Sequence, residues 1–164
     1  MGDARVKDPK IIEFLNEALK NELTAVNQYW LHYRMLDNWG ISKLAELERH
    51  ESIDEMKHAD QLAERILFLN GLPNFQLLGR LNIGENVEEI LRCDLALENV
   101  AIPLLRDAVE YCEKARDYVT RDLFASILES EEEHLDMLEK QFDLIERMGI
   151  ENYIQLNSAP ASSD

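Results

Sequence analysis

The sequence predicts an all-α domain: four long helices forming two antiparallel hairpins, joined by a long crossover and followed by a short fifth helix at the C-terminal end. Three observations predict it. Apolar residues recur at three- and four-residue steps through four long stretches, as on the buried face of an amphipathic helix. Punctuation is sparse, with six glycines and four prolines in 164 residues, so the elements must be long. One extended stretch rich in Gly, Pro and Asn, residues 71–85, falls near the middle and divides the chain into two similar halves.

Asp8-Pro9 opens the first helix, with an acidic N-cap followed by proline at the first helical position. Ile12, Leu15, Leu19, Glu22, Val26 and Tyr29 follow at helical spacing, and the helix runs to about Asp37. Asn38-Trp39-Gly40 is a short turn, so the second helix, from about Ile41 to Leu69, returns antiparallel. Asn70-Gly71-Leu72-Pro73 ends it, with glycine just past the end and proline beyond. A long structureless stretch in a small domain needs a reason. Fifteen extended residues span up to about 50 Å, and a 30-residue helix is about 45 Å long, so this loop can run the full length of a bundle. It therefore joins the second and third helices in parallel. Asn86-Val87-Glu88-Glu89 reads as a capping box that starts the third helix, which runs to about Ala115. The break near Arg116-Asp117 has neither glycine nor proline. The fourth helix runs from about Tyr118 to Met148 and stops at Gly149, and Ile150 to Leu156 forms the short fifth. Residues 1–157 thus read as a single domain, and 158–164 as a disordered tail.

Composition narrows the function classes. Apolar residues are 46% and charged residues 30%, which fits amphipathic helices around one core. No apolar run reaches a membrane span and no basic-then-apolar leader opens the chain, so a cytoplasmic location is expected, with no membrane partner. A net charge of −16 disfavours a nucleic-acid surface, which needs a basic stripe, and favours attraction of cations. Cys93 and Cys112 are nineteen residues apart on one helix, about 28 Å, too far for a disulfide, and no Cys-x-x-Cys occurs.

The chemistry lies in a motif that occurs twice. Glu55-Met56-Lys57-His58 and Glu131-Glu132-Glu133-His134 are both Glu-x-x-His. A three-residue step turns a helix about 300°, which puts a hard oxygen donor and an imidazole on one face, the makings of a metal half-site. Glu22 lies 33 residues before Glu55, and Glu98 lies 33 residues before Glu131. Each of the four glutamates falls about 12 to 15 residues into its helix, so all four reach the middle of an antiparallel bundle. Four carboxylates and two imidazoles at one level of a core would be ruinous unpaired, and two divalent cations would neutralise them.

These stretches carry a family resemblance: Asn21-Glu22-Leu23-Thr24-Ala25-Val26-Asn27-Gln28-Tyr29, Glu51-Ser52-Ile53-Asp54-Glu55-Met56-Lys57-His58-Ala59-Asp60, Arg65-Ile66-Leu67-Phe68-Leu69, Asp94-Leu95-Ala96-Leu97-Glu98 and Glu131-Glu132-Glu133-His134. From Asp8 to Leu156 the chain resembles the bacterioferritins, haem-containing members of the ferritin family with a ferritin-like four-helix bundle. The resemblance implies iron storage and detoxification in a hollow homo-oligomer of twenty-four subunits. It also implies a di-iron ferroxidase centre that oxidises Fe(II) with dioxygen or peroxide. It assigns Glu22 and His58 to one iron, Glu98 and His134 to the other, and Glu55 and Glu131 to both as bridges. It further implies a haem b on each two-fold axis, held by Met56 of each subunit and assisting iron release, with a ferredoxin as a candidate reductant.

Position supports some of these roles. Met56 is one residue past Glu55, turned about 100° from the metal face. Arg49, Ser52, Ala59 and Ala63 are expected near the same outer stripe, with Leu23, Val26, Asn27 and Trp30 forming an outward stripe on the first helix. Tyr29, seven residues after Glu22, shares its face and could hydrogen-bond a ligand carboxylate. His50 and Asp54 resemble a further iron site on the cavity wall. His32 has no carboxylate constellation in the sequence and is expected at the surface or an interface. Pro103, one turn past Glu98, is expected to kink the third helix. Glu133 stands where glycine is common, and Met137 where some relatives carry Trp. The competing readings are a di-iron oxygenase or peroxidase without storage, a starvation-type mini-ferritin with ligands shared between subunits, and a metal-free structural bundle. The six ligands within one chain argue against the mini-ferritin.

Overall fold

The computed structural model describes residues 2–161. Five helices and no strand occur among the described residues: α1 Pro9–Asn38, α2 Ser42–Phe68, α3 Val87–Lys114, α4 Tyr118–Met148 and α5 Ile150–Leu156. Helix starts follow side-chain chemistry. Asp8 accepts from the Lys10 amide at 2.9 Å, and Asn86 accepts from the Glu89 amide at 2.9 Å. The reciprocal arm of the expected capping box reaches one residue further back, since Glu89 accepts from the Glu85 amide at 2.8 Å.

Two helix ends rest on residues other than glycine. At the end of α2 it is Asn70, with φ 62°, that enters the left-handed region, not Gly71. Asn tolerates this region better than most residues do. Gly71 serves a different need: a Cβ there would lie 2.9 Å from the Ile12 and Ile66 side chains. At the break between α3 and α4, Arg116 has φ 63°. Asp117 secures that turn by accepting from the Thr120 amide at 3.1 Å, the Thr120 hydroxyl at 2.6 Å and Arg65 Nη2 at 3.0 Å.

The crossover runs beside α1 in the same direction. Asn16 accepts from the Asn74 amide (2.9 Å), Thr24 from Gly79 (2.8 Å), Gln28 from Asn82 (3.0 Å) and His32 from Gly84 (3.0 Å). Polar side chains at four successive levels of α1 thus satisfy backbone groups that a structureless segment cannot pair itself. The segment climbs nearly the whole of α1 before α3 begins, which makes α2 and α3 parallel. α3 stays helical through Pro103, and both Pro103 and Asn99, whose carbonyl loses its usual donor, are exposed.

The core is in two pieces. One packs the first half of α1 (Ile11, Leu15, Leu19) with the later halves of α2 and α3 (Leu62, Ile66, Leu105) and the start of α4 (Phe124, Ile127). The other packs Leu36, Leu44, Ile90, Leu91 and Leu138 under Tyr153 of α5. Each fully buried side chain of this kind contributes roughly 1.5–3 kcal/mol. Between the two pieces lies a layer of buried polar groups from all four long helices. At the C-terminal end, the Ala159 amide donates to Ser42 Oγ at 3.1 Å and the Ser158 hydroxyl to the Ile154 carbonyl at 2.7 Å. The last part of the expected tail, 162–164, lies outside the described residues.

Candidate metal centre

The polar layer forms because α1–α4 each bring a glutamate to the same height. Glu22, Glu55, Glu98 and Glu131 are all at most 2% exposed. Their ligand atoms fall into two overlapping groups, each spanning no more than 4.8 Å: Glu22, Glu55, His58 and Glu131 in one, and Glu55, Glu98, Glu131 and His134 in the other. Glu55 and Glu131 belong to both. His58 Nδ1 lies 3.6 Å from Glu22, 3.4 Å from Glu55 and 3.3 Å from Glu131. His134 Nδ1 lies 2.8 Å from Glu98 Oε1 and 3.6 Å from Glu51. The Tyr29 hydroxyl donates to the same Glu98 oxygen at 2.5 Å, and its ring meets His134 edge-on at 5.2 Å between centroids. Glu22 Oε2, Glu98 Oε2 and Glu131 Oε1 are buried without a hydrogen-bond partner.

The charge state follows from this crowding. Burial and the neighbouring Glu131 push Glu98 up to about 8. Burial, then Glu55, raises Glu131 above the usual carboxylate range. Burial alone would discharge His58, but its contacts with Glu131 and Glu55 outweigh it and raise the imidazole to about 10. His134 is likewise held against burial at about 10, chiefly by Glu98. Protons thus take the role of counter-ions between the carboxylates. Hard oxygen donors, two imidazoles and orphaned buried lone pairs form a donor set suited to two divalent cations such as ferrous ions. A cavity of about 20 Å³ between α1 and α3, bordered by Asn21, Ala25 and the exposed Val100, adjoins Glu22, Glu55, Glu98 and Glu131.

Comparison with known proteins agrees with this architecture. A family model described as a ferritin-like domain matches residues 12–148. The chain is 53% identical over 154 residues to a bacterioferritin of Brucella melitensis, covering 94% of this chain and 96% of that one. The chain belongs to the bacterioferritins. A bacterioferritin of Rhodobacter capsulatus is 50% identical over 153 residues, 93% of this chain and 95% of its own. One from Mycolicibacterium paratuberculosis is 46% identical over 156 residues, 94% and 98% of the two chains.

Other residues singled out in the sequence lie away from the bacterioferritin centre. Met56 is 45% exposed on the outer side of α2, and Trp30 of α1 is 42% exposed. The stripe expected around Met56 is narrower than the helical wheel suggested. Ser52 and Ala59 are buried between helices, Ser52 donating to the Val26 carbonyl at 2.8 Å, and Leu23 belongs to the core. A 27-residue helix that contacts α1 along its length turns more of its surface inward than a narrow face. His50 Nε2 and Asp54 Oδ2 pair at 3.2 Å outside the buried layer, with Lys57 3.7 Å from Asp54. Glu133 is exposed, and Met137 packs against the core beneath Tyr153.

His32 corrects the sequence reading. It is wholly buried, with Nδ1 2.9 Å from Asp94 Oδ1, and groups with Asp94 and Glu48. Its partners come from α2, α3 and the crossover, so no local spacing announces them. A residual signal exists: Asp94 precedes Glu98 by one turn and Glu48 precedes Glu55 by two, which places both on the faces that carry ligands.

Proposed function

We propose that this bacterioferritin stores iron, oxidising Fe(II) at the centre formed by Glu22, Glu55, His58, Glu98, Glu131 and His134 and holding the ferric product within a shell of twenty-four copies. The observation that carries this reading is the pair of overlapping donor groups with Glu55 and Glu131 common to both. Shared carboxylates can hold two ferrous substrates close together, so that two electrons leave in one event, toward dioxygen or peroxide. The imidazoles keep the ferrous state bound, and the hard carboxylates favour the ferric product. Tyr29, hydrogen-bonded to Glu98, orients that carboxylate. Acidic surface pairs such as His50–Asp54 would receive iron beyond the centre.

The haem b belongs to the same proposal. The Met56 thioether is exposed and turned about 100° around α2 from the buried Glu55, so it suits an axial ligand supplied from each side of a two-fold axis. When bound, such a haem supplies one-electron transfer, which suits reductive release with a ferredoxin-type donor. No helix among the described residues is long and apolar enough to cross a membrane; a cytoplasmic location is part of the same proposal.

Storage is tested by adding ferrous iron aerobically in large excess and measuring particle size and iron content together. The expected result is a particle far above the 19.0 kDa chain, retaining many ferric ions per subunit in solution. A monomer, or quantitative precipitation of the iron, overturns it.

A further inference from the structure

About one turn from the centre along α3 lies a second buried acidic group that the oxidation chemistry does not use. Glu48 of α2 is 4% exposed and Asp94 of α3 is 0% exposed. Asp94 Oδ1 accepts from Gln28 Nε2 and contacts His32 Nδ1, both at 2.9 Å. Asp94 Oδ2 and Glu48 Oε2 are buried without a partner. Two like charges facing one another away from water need something between them, and the group has the dimensions of a metal site.

The imidazole decides between a metal and a proton. Gly84 donates its backbone N–H to His32 Nε2 at 3.0 Å, so Nε2 carries the lone pair and the neutral ring carries its proton on Nδ1. That proton points at Asp94. A cation bound through Nδ1 would force the proton to Nε2, against the Gly84 amide. Gly84 cannot readily withdraw, since its Cα side is pressed against the start of α3: a Cβ there would meet Ile90 N at 2.2 Å. The ring is therefore a donor to Asp94 and no ligand.

We propose that Glu48 and Asp94 form a proton-binding site, one proton shared as a carboxylic acid–carboxylate pair, which is surrendered when cation charge fills the neighbouring metal centre. Asp94 is the ionised member, fixed by two donors on one oxygen, and Glu48 is the acid that donates to the other. Burial, then the Asp94 charge, holds the Glu48 carboxyl well above its ordinary range. The groups facing it from the packed elements do not reverse this. Glu51 on its own helix is a further acid, and His32 and Gln28 on α1 serve Asp94. Tyr153 of α5 is itself raised well above the ordinary phenol range, by burial and then by Glu48, and its hydroxyl donates to Gln141 of α4. No cation is among them. Divalent charge at Glu98, about 6 Å along α3 from Asp94, favours the ionised form of both acids. The released proton compensates for charge brought in by the metal. This second half rests on the reading of the six ligands as a metal centre; the shared proton does not.

Two measurements test it on the assembled protein, with redox-inert zinc as the probe. In metal-free protein at neutral pH, infrared spectra should show, separate from the band of protonated Glu98 that Glu98→Gln removes, a protonated-carboxyl C=O component that Glu48→Gln removes and Glu98→Gln leaves in place. The Gln amide can replace the acid O–H toward Asp94, so folding should survive; Asp94→Asn serves as a second variant and should abolish the same component. Calorimetry in buffers of different ionisation enthalpy should find equal zinc bound to wild type and Glu48→Gln, with about one proton fewer released by the variant. The pair is overturned if the infrared component persists in both variants. It is also overturned if zinc binds a protein lacking Glu98 and Glu131 side chains and is lost on adding Glu48→Gln. Equal proton release at equal zinc overturns the coupling. If zinc binds neither protein, the metal-centre reading fails and the infrared component alone decides the pair.

Discussion

Glu98 shows how a single side chain carries the account. One of its oxygens receives Tyr29 and His134, and the other is buried and bare. Such a group is costly as a lone anion, so in the metal-free protein it holds a proton up to about pH 8, while His58 and His134 stay charged to about 10. The signs agree for all three groups. Each folded pKa is raised above its unfolded value, so the folded chain binds protons that the unfolded chain gives up. The stability they contribute is complete below the unfolded values and is lost as pH rises through about 8 for Glu98 and about 10 for the histidines. Thermal melts of metal-free protein should therefore show Tm falling from pH 6 to pH 10. Bound metal replaces those protons, so metal affinity should rise over the same range; a metal-free Tm that climbs with pH would contradict both. Met56 makes a separate prediction. Met56→Leu keeps volume and apolar character, so the protein should assemble with ferrous oxidation near normal, but haem absorbance should vanish and reductive iron release should slow. Full haem with an unchanged spectrum would refute the ligand assignment.

At the scale of elements, the turn between α3 and α4 is the most dependent on one side chain. Asp117, 3% exposed, holds the α4 N-terminus and Arg65 together. Asp117→Ala removes a cap and leaves Arg65 without its carboxylate, which should cost about 3 kcal/mol in denaturant unfolding. The metal ligands sit about four turns away on α4, so the surviving folded fraction should oxidise iron at the normal rate. A loss under 1 kcal/mol would show that the turn is held by other contacts. The sequence made the helices legible because apolar periodicity, the Asp8 and Asn86 caps and the breaker-rich crossover all act locally. The α4 and α5 boundaries, Tyr118–Met148 and Ile150–Leu156, coincide with that reading. What it missed depends on contacts made across the bundle. Asn70 and Arg116 take left-handed conformations that favour glycine, supported by neighbouring turns. His32 looked unpartnered because Asp94 lies 62 residues away and Gly84 lies 52.

Across the whole molecule, the two-piece core explains how a bundle tolerates such a costly layer at mid-height. Apolar packing above and below, with α5 closing one end through Tyr153, holds the four long helices in register while their centre carries acids and imidazoles. Packing at both ends sets the spacing of the ligand residues between them. The repeated Glu-x-x-His, the glutamate 33 residues before each copy and the family resemblance together made six members of this layer readable. The remaining buried polar groups became visible only in three dimensions.

The central claim is that two ferrous ions are oxidised together at ligands shared within one chain. Stopped-flow oxidation, with iron added stepwise to metal-free protein, tests it most directly. The account predicts a rapid phase that saturates at about two Fe(II) per subunit, in line with two donor groups in each bundle. It predicts that Glu131→Ala, which removes a ligand common to both groups, slows this phase by about 100-fold or more while circular dichroism and particle size stay unchanged. Glu98→Ala and His134→Ala, each touching one group, should also slow it. A rapid phase with any other saturation, or one that persists at full rate in correctly folded Glu131→Ala protein, would contradict the claim.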